Sequence, residues 1–135
     1  MALVDTGPLV AAANVKDGDH ARCLAVLQRA DLRLIIPALV VAEASYLVGR
    51  DLGVAAEANF LRGVNRFEIE APRTEEWSRI ADLVEQYADF PLGGTDASIV
   101  ALAERLNTDV IITLDRRHFG AVRPRHVEYL RILPE

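Results

Sequence analysis

Four carboxylates stand where a folded chain has little structural reason to place them. Asp5 closes the short apolar run "ALVD", and Asp115 closes "VIITLD". Each therefore falls at the carboxyl end of a segment that reads as buried strand. Glu43 interrupts "ALVVAEASYLV", where Leu39, Glu43 and Leu47 recur at i, i+4 and i+8 along one helical stripe. Asp96 opens "TDASIVALAERL", followed at helical spacing by Ile99, Val100, Ala103 and Leu106. An ionised carboxylate in apolar surroundings must pair, protonate or hold a cation.

Each has an ordinary explanation. Asp5 before "TGP" and Asp115 before "RRH" both suit helix caps. Glu43 can pair with an arginine or bend out to solvent. Asp96 can cap its own helix, although Thr95 competes for that role. A shared divalent cation explains all four together. Mg²⁺ favours carboxylate oxygens, keeps several waters and works beside phosphates. One or two such ions, Mg²⁺ or Mn²⁺, activate water and stabilise in-line attack at phosphorus. Zinc fits less well, because His20, His118 and His126 show no ligand spacing and Cys23 stands alone.

The elements that must position these groups follow from the apolar pattern. "MALVD" reads as a buried strand and "TGPLVAAA" as a helix with Pro8 at its first position. "NVKDGD" is a loop, residues 20–30 an amphipathic helix, and "LRLIIP" a second strand closed by Pro37. A helix is expected from Val40 to about Asp51, ended by Gly53, then another over 54–67 and a strand at "FEIEA". Residues 74–88 form a helix with Thr74 as its N-cap. "DFPLGG" is a loop leading to a helix from about Thr95 to Leu106, where Gly93 and Gly94 allow close backbone approach. "DVIITL" is a third long strand and "VEYLRIL" an edge strand. Continuous apolar strands alternating with helices indicate a mainly parallel sheet covered on both faces. The expectation is a single three-layer α/β/α domain over residues 1–135. In such open sheets ligands bind beyond the carboxyl ends of the strands, which is where Asp5 and Asp115 fall.

Composition narrows the class. Hydrophobic residues make up 51% of the 135 and aromatics only 6%, so Val, Leu, Ile and Ala must build the core. The single cysteine excludes an internal disulfide and fits a reducing compartment. Cys23 within "ARCLAVL" reads as a small buried hydrophobe rather than a nucleophile. No apolar stretch approaches a membrane span and no signal peptide is visible, so a cytoplasmic protein is expected. Fourteen arginines face one lysine at a net charge of −5, which argues against a non-specific DNA binder. Two divalent cations would move that total from −5 to −1.

The order Asp5 in "VDTGPLVA", Glu43 in "PALVVAEASYLV", Asp96 in "GGTDASIVALAERL" and Asp115 in "IITLDRRHF" resembles a PIN domain. More narrowly it resembles the VapC toxins of bacterial toxin–antitoxin pairs, over essentially the whole chain. The resemblance implies a Mg²⁺- or Mn²⁺-dependent endoribonuclease, a homodimer, neutralised by a VapB-type antitoxin. On that reading the four acids are both catalytic residues and metal ligands, and Thr113 matches a supporting hydroxyl. Thr113 and Asp115 lie two apart on a strand, hence on one face. Arg116 is expected to contact RNA phosphate; Arg117 and His118 share the segment, His118 as a weaker candidate general acid. Asp89 reads as a solvated loop residue. Tyr46, Phe60 and Leu61 could line an apolar antitoxin groove or simply pack in the core.

Two rival classes remain open. A phosphohydrolase resembling the haloacid dehalogenases would want a second Asp two residues after Asp5, where this chain has Gly7. A non-catalytic interaction module would keep the fold without metal-dependent cleavage. Neither a GxxxxGK[ST] nor a GxGxxG stretch is present, which removes those nucleotide-binding classes.

Overall fold

The computed structural model describes residues 1–135 and shows a five-stranded sheet with helices on both faces. In chain order the elements are β1 (Ala2–Val4), α1 (Thr6–Ala13), α2 (His20–Leu27), β2 (Leu34–Pro37), α3 (Ala38–Leu52) and α4 (Val54–Gly63). A 3₁₀ turn at Val64–Arg66 leads to β3 (Glu68–Glu70), α5 (Glu76–Gln86), α6 (Gly94–Leu106), β4 (Val110–Ile112), α7 (Arg116–Ala121) and β5 (Arg131–Leu133). The strand order is β3-β2-β1-β4-β5, and every pairing is parallel.

The strands are short but almost wholly apolar in the middle of the sheet. Ala2, Leu3, Val4, Ile36, Ile111 and Ile112 are fully buried, as expected of a parallel sheet covered on both sides. They belong to a cluster of 26 buried residues that also takes in Val40 and Ala44 of α3, Leu83 of α5 and Ala97, Ile99, Val100 and Leu102 of α6. The edges are guarded differently. On β3, Glu68 and Ile69 are exposed, and Glu68 is bridged to Arg33 beside β2 at 2.7 Å. A charged side chain on an edge strand discourages further pairing. No helix is long and apolar enough to cross a membrane.

The chain turns back on itself at β1. From β1 it moves to β2 on one side, and the later strands β4 and β5 lie on the other. Leu3 and Val4 pair with Ile111 and Ile112, so the ends of β1 and β4 are level. This is the topological switch point, where the crevice of an open parallel sheet opens.

Several boundaries differ from the sequence reading. Thr74 is not a cap: α5 begins at Glu76, Glu75 occupies the cap position without a side-chain bond, and Glu76 itself accepts from the Arg73 amide at 2.6 Å. Pro8 is the third rather than the first helical residue of α1, still within the turn whose amides lack intrahelical partners. The expected edge strand over 127–133 shrinks to Arg131–Leu133. "RRHFGA", to which the apolar pattern assigns no element, is helix α7, capped by Asp115 and burying Phe119.

Candidate active site

The four acids converge on one open cleft of about 580 Å³ at the switch point, lined by Asp5, Thr6, Glu43, Asp96, Leu114 and Asp115 among others. Each reaches it from a different element. Asp5 follows β1, and its backbone N–H donates to the Ile112 carbonyl at 2.9 Å, extending the β1–β4 ladder by one step. Asp115 follows β4 and caps α7. Glu43 comes from α3, which follows β2, and Asp96 from the first turn of α6.

Asp5 is nearly buried, with 7% exposure, and both its oxygens are engaged. Oδ1 accepts from the Thr6 amide at 2.7 Å and Oδ2 from the Thr113 hydroxyl at 2.7 Å. The cap expected of Asp5 is therefore real, and it coexists with a place in the cleft. Burial raises the Asp5 pKa; the bonds from Thr113 and Thr6 oppose that rise, and the charges of Glu43 and Asp115 add to it. Thr113 also accepts from the Asp115 amide through Oγ1 at 2.9 Å. One hydroxyl thus ties together the two strand-end acids.

Asp96 has no hydrogen-bonded or ionic partner among the protein groups, and Gly93, not Asp96, occupies the cap position of α6. Its pKa is pushed up to about 6, first by burial, then by Asp5, Asp115 and Glu43, with His118 opposing. A lone acid raised by three neighbouring acids marks an excess of negative charge that a cation would relieve.

Glu43 departs from the sequence reading in one respect. The face of α3 buried against the sheet is Val40, Ala44 and Val48, one position away from the expected stripe. Glu43 is exposed and faces the cleft together with half-buried Leu47. Its carboxylate therefore needs no buried arginine.

The supporting residues divide. Thr113 joins the site. Arg116 does not: its guanidinium donates to the Pro134 carbonyl, and it is absent from the cleft wall. Arg117 is exposed, with no ion pair. His118 offers no nitrogen to a substrate. Nδ1 bonds Asp115 Oδ2 at 2.5 Å and Nε2 is buried without a partner, so the general-acid role has no geometric basis. Asp89 is exposed in its loop and lies outside the cleft. Sequence reasoning missed Asp17, which brings a fifth carboxylate to the cleft rim. Nothing in "NVKDGD" marks it, because a polar loop residue carries no apolar pattern to violate.

The donor set suits a hard cation. It is all oxygen: the carboxylates, with the Thr6 hydroxyl buried in the same wall and lacking any partner. No three His, Cys, Asp or Glu side chains stand close enough to bind one ion directly. That favours an ion such as Mg²⁺, which keeps much of its water and takes only one or two direct carboxylates.

Elsewhere, a groove of about 320 Å³ runs between α1, α2 and α4, lined by Leu9, Ala12, Leu24, Leu27, Phe60 and Val64 with Arg66 at its border. Phe60 belongs to it; Tyr46 and Leu61 do not, and both are exposed.

A three-layer parallel sheet with an acidic switch-point cleft defines a class, and comparison with known proteins agrees. The PIN domain family model matches residues 2–123. Ribonuclease VapC26 of Mycobacterium tuberculosis is 37% identical over 124 residues, 90% of this chain and 92% of that protein. The chain belongs to the PIN domain family, in its VapC ribonuclease branch. Among solved structures, the M. tuberculosis toxin VapC20, described as cleaving the sarcin–ricin loop, superposes with a TM-score of 0.82 at 16% identity. That match covers 94% of this chain and 98% of VapC20. VapBC2 of Rickettsia felis, bound to a DNA fragment from its promoter, gives 0.71 at 19% identity over 98% of both chains. At such identities these two likenesses establish the fold.

Proposed function

We propose that the acidic cleft is the active site of a Mg²⁺-dependent endoribonuclease, with Mn²⁺ able to substitute, acting as the toxin of a VapBC pair. The observation that carries this is the convergence of Asp5, Glu43, Asp96 and Asp115 at the switch point, with Asp96 pushed up to about 6. Asp5, Glu43, Asp96 and Asp115 would surround the ion, one or two of them bound to it directly and the others through its waters. Bound there, the ion supplies positive charge that polarises water and stabilises the charge developing at phosphorus. The chain's own residues do the rest. Thr113 fixes Asp5 and holds the Asp115 backbone. Glu43, exposed on the cleft wall, is placed to accept a proton from an attacking water. Arg117, exposed and without an ion pair two residues after Asp115, is placed for the phosphate contact expected of Arg116, whose guanidinium is turned to the Pro134 carbonyl.

The partner is a VapB-type antitoxin, whose apolar helix fills the α1–α2–α4 groove. Similar folds occur in the DNA-bound VapBC complexes of Rickettsia felis and Salmonella typhimurium, which supports that choice. Exposed Tyr46, Val54 and Leu61 along α3 and α4 supply apolar surface for a homodimer, which light scattering of the free toxin would test. The protein works in the cytoplasm on cellular RNA.

The test of the nuclease reading is cleavage of total RNA by purified protein. Cleavage should vanish in EDTA, return with Mg²⁺ or Mn²⁺, and be absent from Asp96→Asn. Activity that persists in EDTA, with the same preparation of Asp96→Asn equally active, would sink it and leave a non-catalytic module.

A further inference from the structure

Asp115 is gripped on both oxygens by a single residue. The His118 amide donates to Oδ1 at 3.0 Å and the His118 ring nitrogen Nδ1 to Oδ2 at 2.5 Å. The amide bond is the cap of α7, and almost any residue at 118 would make it. The ring bond belongs to histidine.

The ring has a second contact as well. A carboxylate accepts hydrogen bonds, so Nδ1 carries a hydrogen and donates it to Asp115. Nε2 is buried without a partner, so the ring's polar contact within the protein is the one to Asp115. Phe90 packs against the imidazole, edge-on at 5.9 Å between centroids and 63° between planes. Phe90 lies in the segment that leads into α6 and hence to Asp96. The imidazole is a strut between that segment and Asp115.

We propose that His118 is a positioning residue for the metal centre, its imidazole locking the rotation of the Asp115 carboxylate. Each carboxylate oxygen has two acceptor positions, so one on each remains after His118 is served. Asp115 lines the cleft, and those remaining positions are the ones available to a cation. The proposal rests on the metal-dependent reading above. Outer partners of this kind commonly set metal affinity by about 10–100-fold, because they fix the ligand before the ion arrives.

The experiment is a Mn²⁺ titration of the full-length protein without RNA, followed by calorimetry or by the electron-spin signal of free Mn²⁺. Wild type is compared with His118→Asn, His118→Leu and Asp115→Asn. The asparagine amide can place a donor near the position of Nδ1, whereas leucine approximates the ring's volume and donates nothing. We expect His118→Leu to bind Mn²⁺ about 10–100-fold more weakly and His118→Asn to stay within a few-fold of wild type. Melting in EDTA confirms that each variant folds. Should the leucine variant fail to fold, His118→Gln, whose amide lies one bond further out, replaces it with the same expectation. Wild-type binding unchanged in the leucine variant, or weakened equally in both, overturns the positioning role while leaving the metal site intact. Wild type that binds no Mn²⁺, and no differently from Asp115→Asn, overturns the metal reading itself and this inference with it.

Discussion

The Thr113 hydroxyl donates to Asp5 Oδ2 at 2.7 Å and accepts from the Asp115 amide at 2.9 Å. It thereby joins two acids that are far apart in the sequence but sit on neighbouring strand ends. Thr113 is 1% exposed, so neither bond can be replaced by water at the surface. Thr113→Val keeps the shape and removes both bonds. Losing a partner from a buried polar group costs about 1–3 kcal/mol. Thr113→Val should therefore be destabilised by that order in urea unfolding, with Thr113→Ser recovering most of the loss. A valine variant as stable as wild type would show that the hydroxyl does not hold Asp5.

Asp96 predicts a pH dependence whose sign is fixed. Its folded pKa of about 6 lies above the ordinary aspartate value of 3.8. For an acid raised on folding, the favourable contribution is fully present below the unfolded pKa and is lost as pH rises through the folded one. In EDTA, wild type should lose stability relative to Asp96→Asn as pH rises from 3.8 through about 6, and the variant should melt higher at neutral pH. Added Mg²⁺ reverses the order, since a ligand at 100 times its dissociation constant stabilises by roughly 2.7 kcal/mol and the variant lacks a ligand. Melting curves across pH, with EDTA and with Mg²⁺, decide it; a constant difference between the two proteins contradicts the coupling. Asp5→Asn should not share this gain. An amide nitrogen in place of Oδ2 would meet the Thr113 hydroxyl that now donates to it.

The nuclease and antitoxin surfaces should separate by mutation. Phe60 lines the groove between α1, α2 and α4, and no residue of the acidic cleft does. Phe60→Asp places a charge where an apolar helix would pack, which costs several kcal/mol if left unpaired. Binding of the VapB-type antitoxin should fall by at least about 100-fold, close to 2.7 kcal/mol, while RNA cleavage by the free toxin is retained. Loss of both together would mean that the groove supports the fold rather than a partner.

Much of this site is legible in the sequence, and the reasons are local. Asp5 and Asp115 announce themselves because apolar strands run directly into them. Asp96 does so because the rest of its helix is apolar. Glu43 was legible for a partly mistaken reason: its stripe is the flank of α3, not its buried face, a one-position error that helical periodicity cannot resolve in "ALVVAEASYLV". Asp17 and the reach of Arg116 to Pro134 depend on how distant segments meet, and no pattern encodes either. The cap at Asp115 is legible but not the helix it starts: six residues with two arginines and a glycine show no apolar period, and α7 is set by Asp115 accepting from the His118 amide.

The last prediction concerns the hairpin that carries Glu43. Helices α3 and α4 pack closely where Gly49 faces Glu57, and a Cβ at Gly49 would collide with the Glu57 carboxylate. That carboxylate is held in place by Ser45, whose hydroxyl donates to Oε2 at 2.6 Å. Gly49 lies inside α3, where alanine is intrinsically better by about 1 kcal/mol. In wild type, Gly49→Ala must displace Glu57 and break the Ser45 bond, a loss of about 1 kcal/mol that offsets the helical gain. In a Glu57→Ala background nothing opposes the new methyl, and the full gain should appear. The four proteins form a double-mutant cycle with an expected coupling of about 1 kcal/mol, measurable by urea unfolding. Gly49→Ala stabilising both backgrounds equally would mean that Glu57 moves aside freely and that the hairpin is held by its apolar contacts alone.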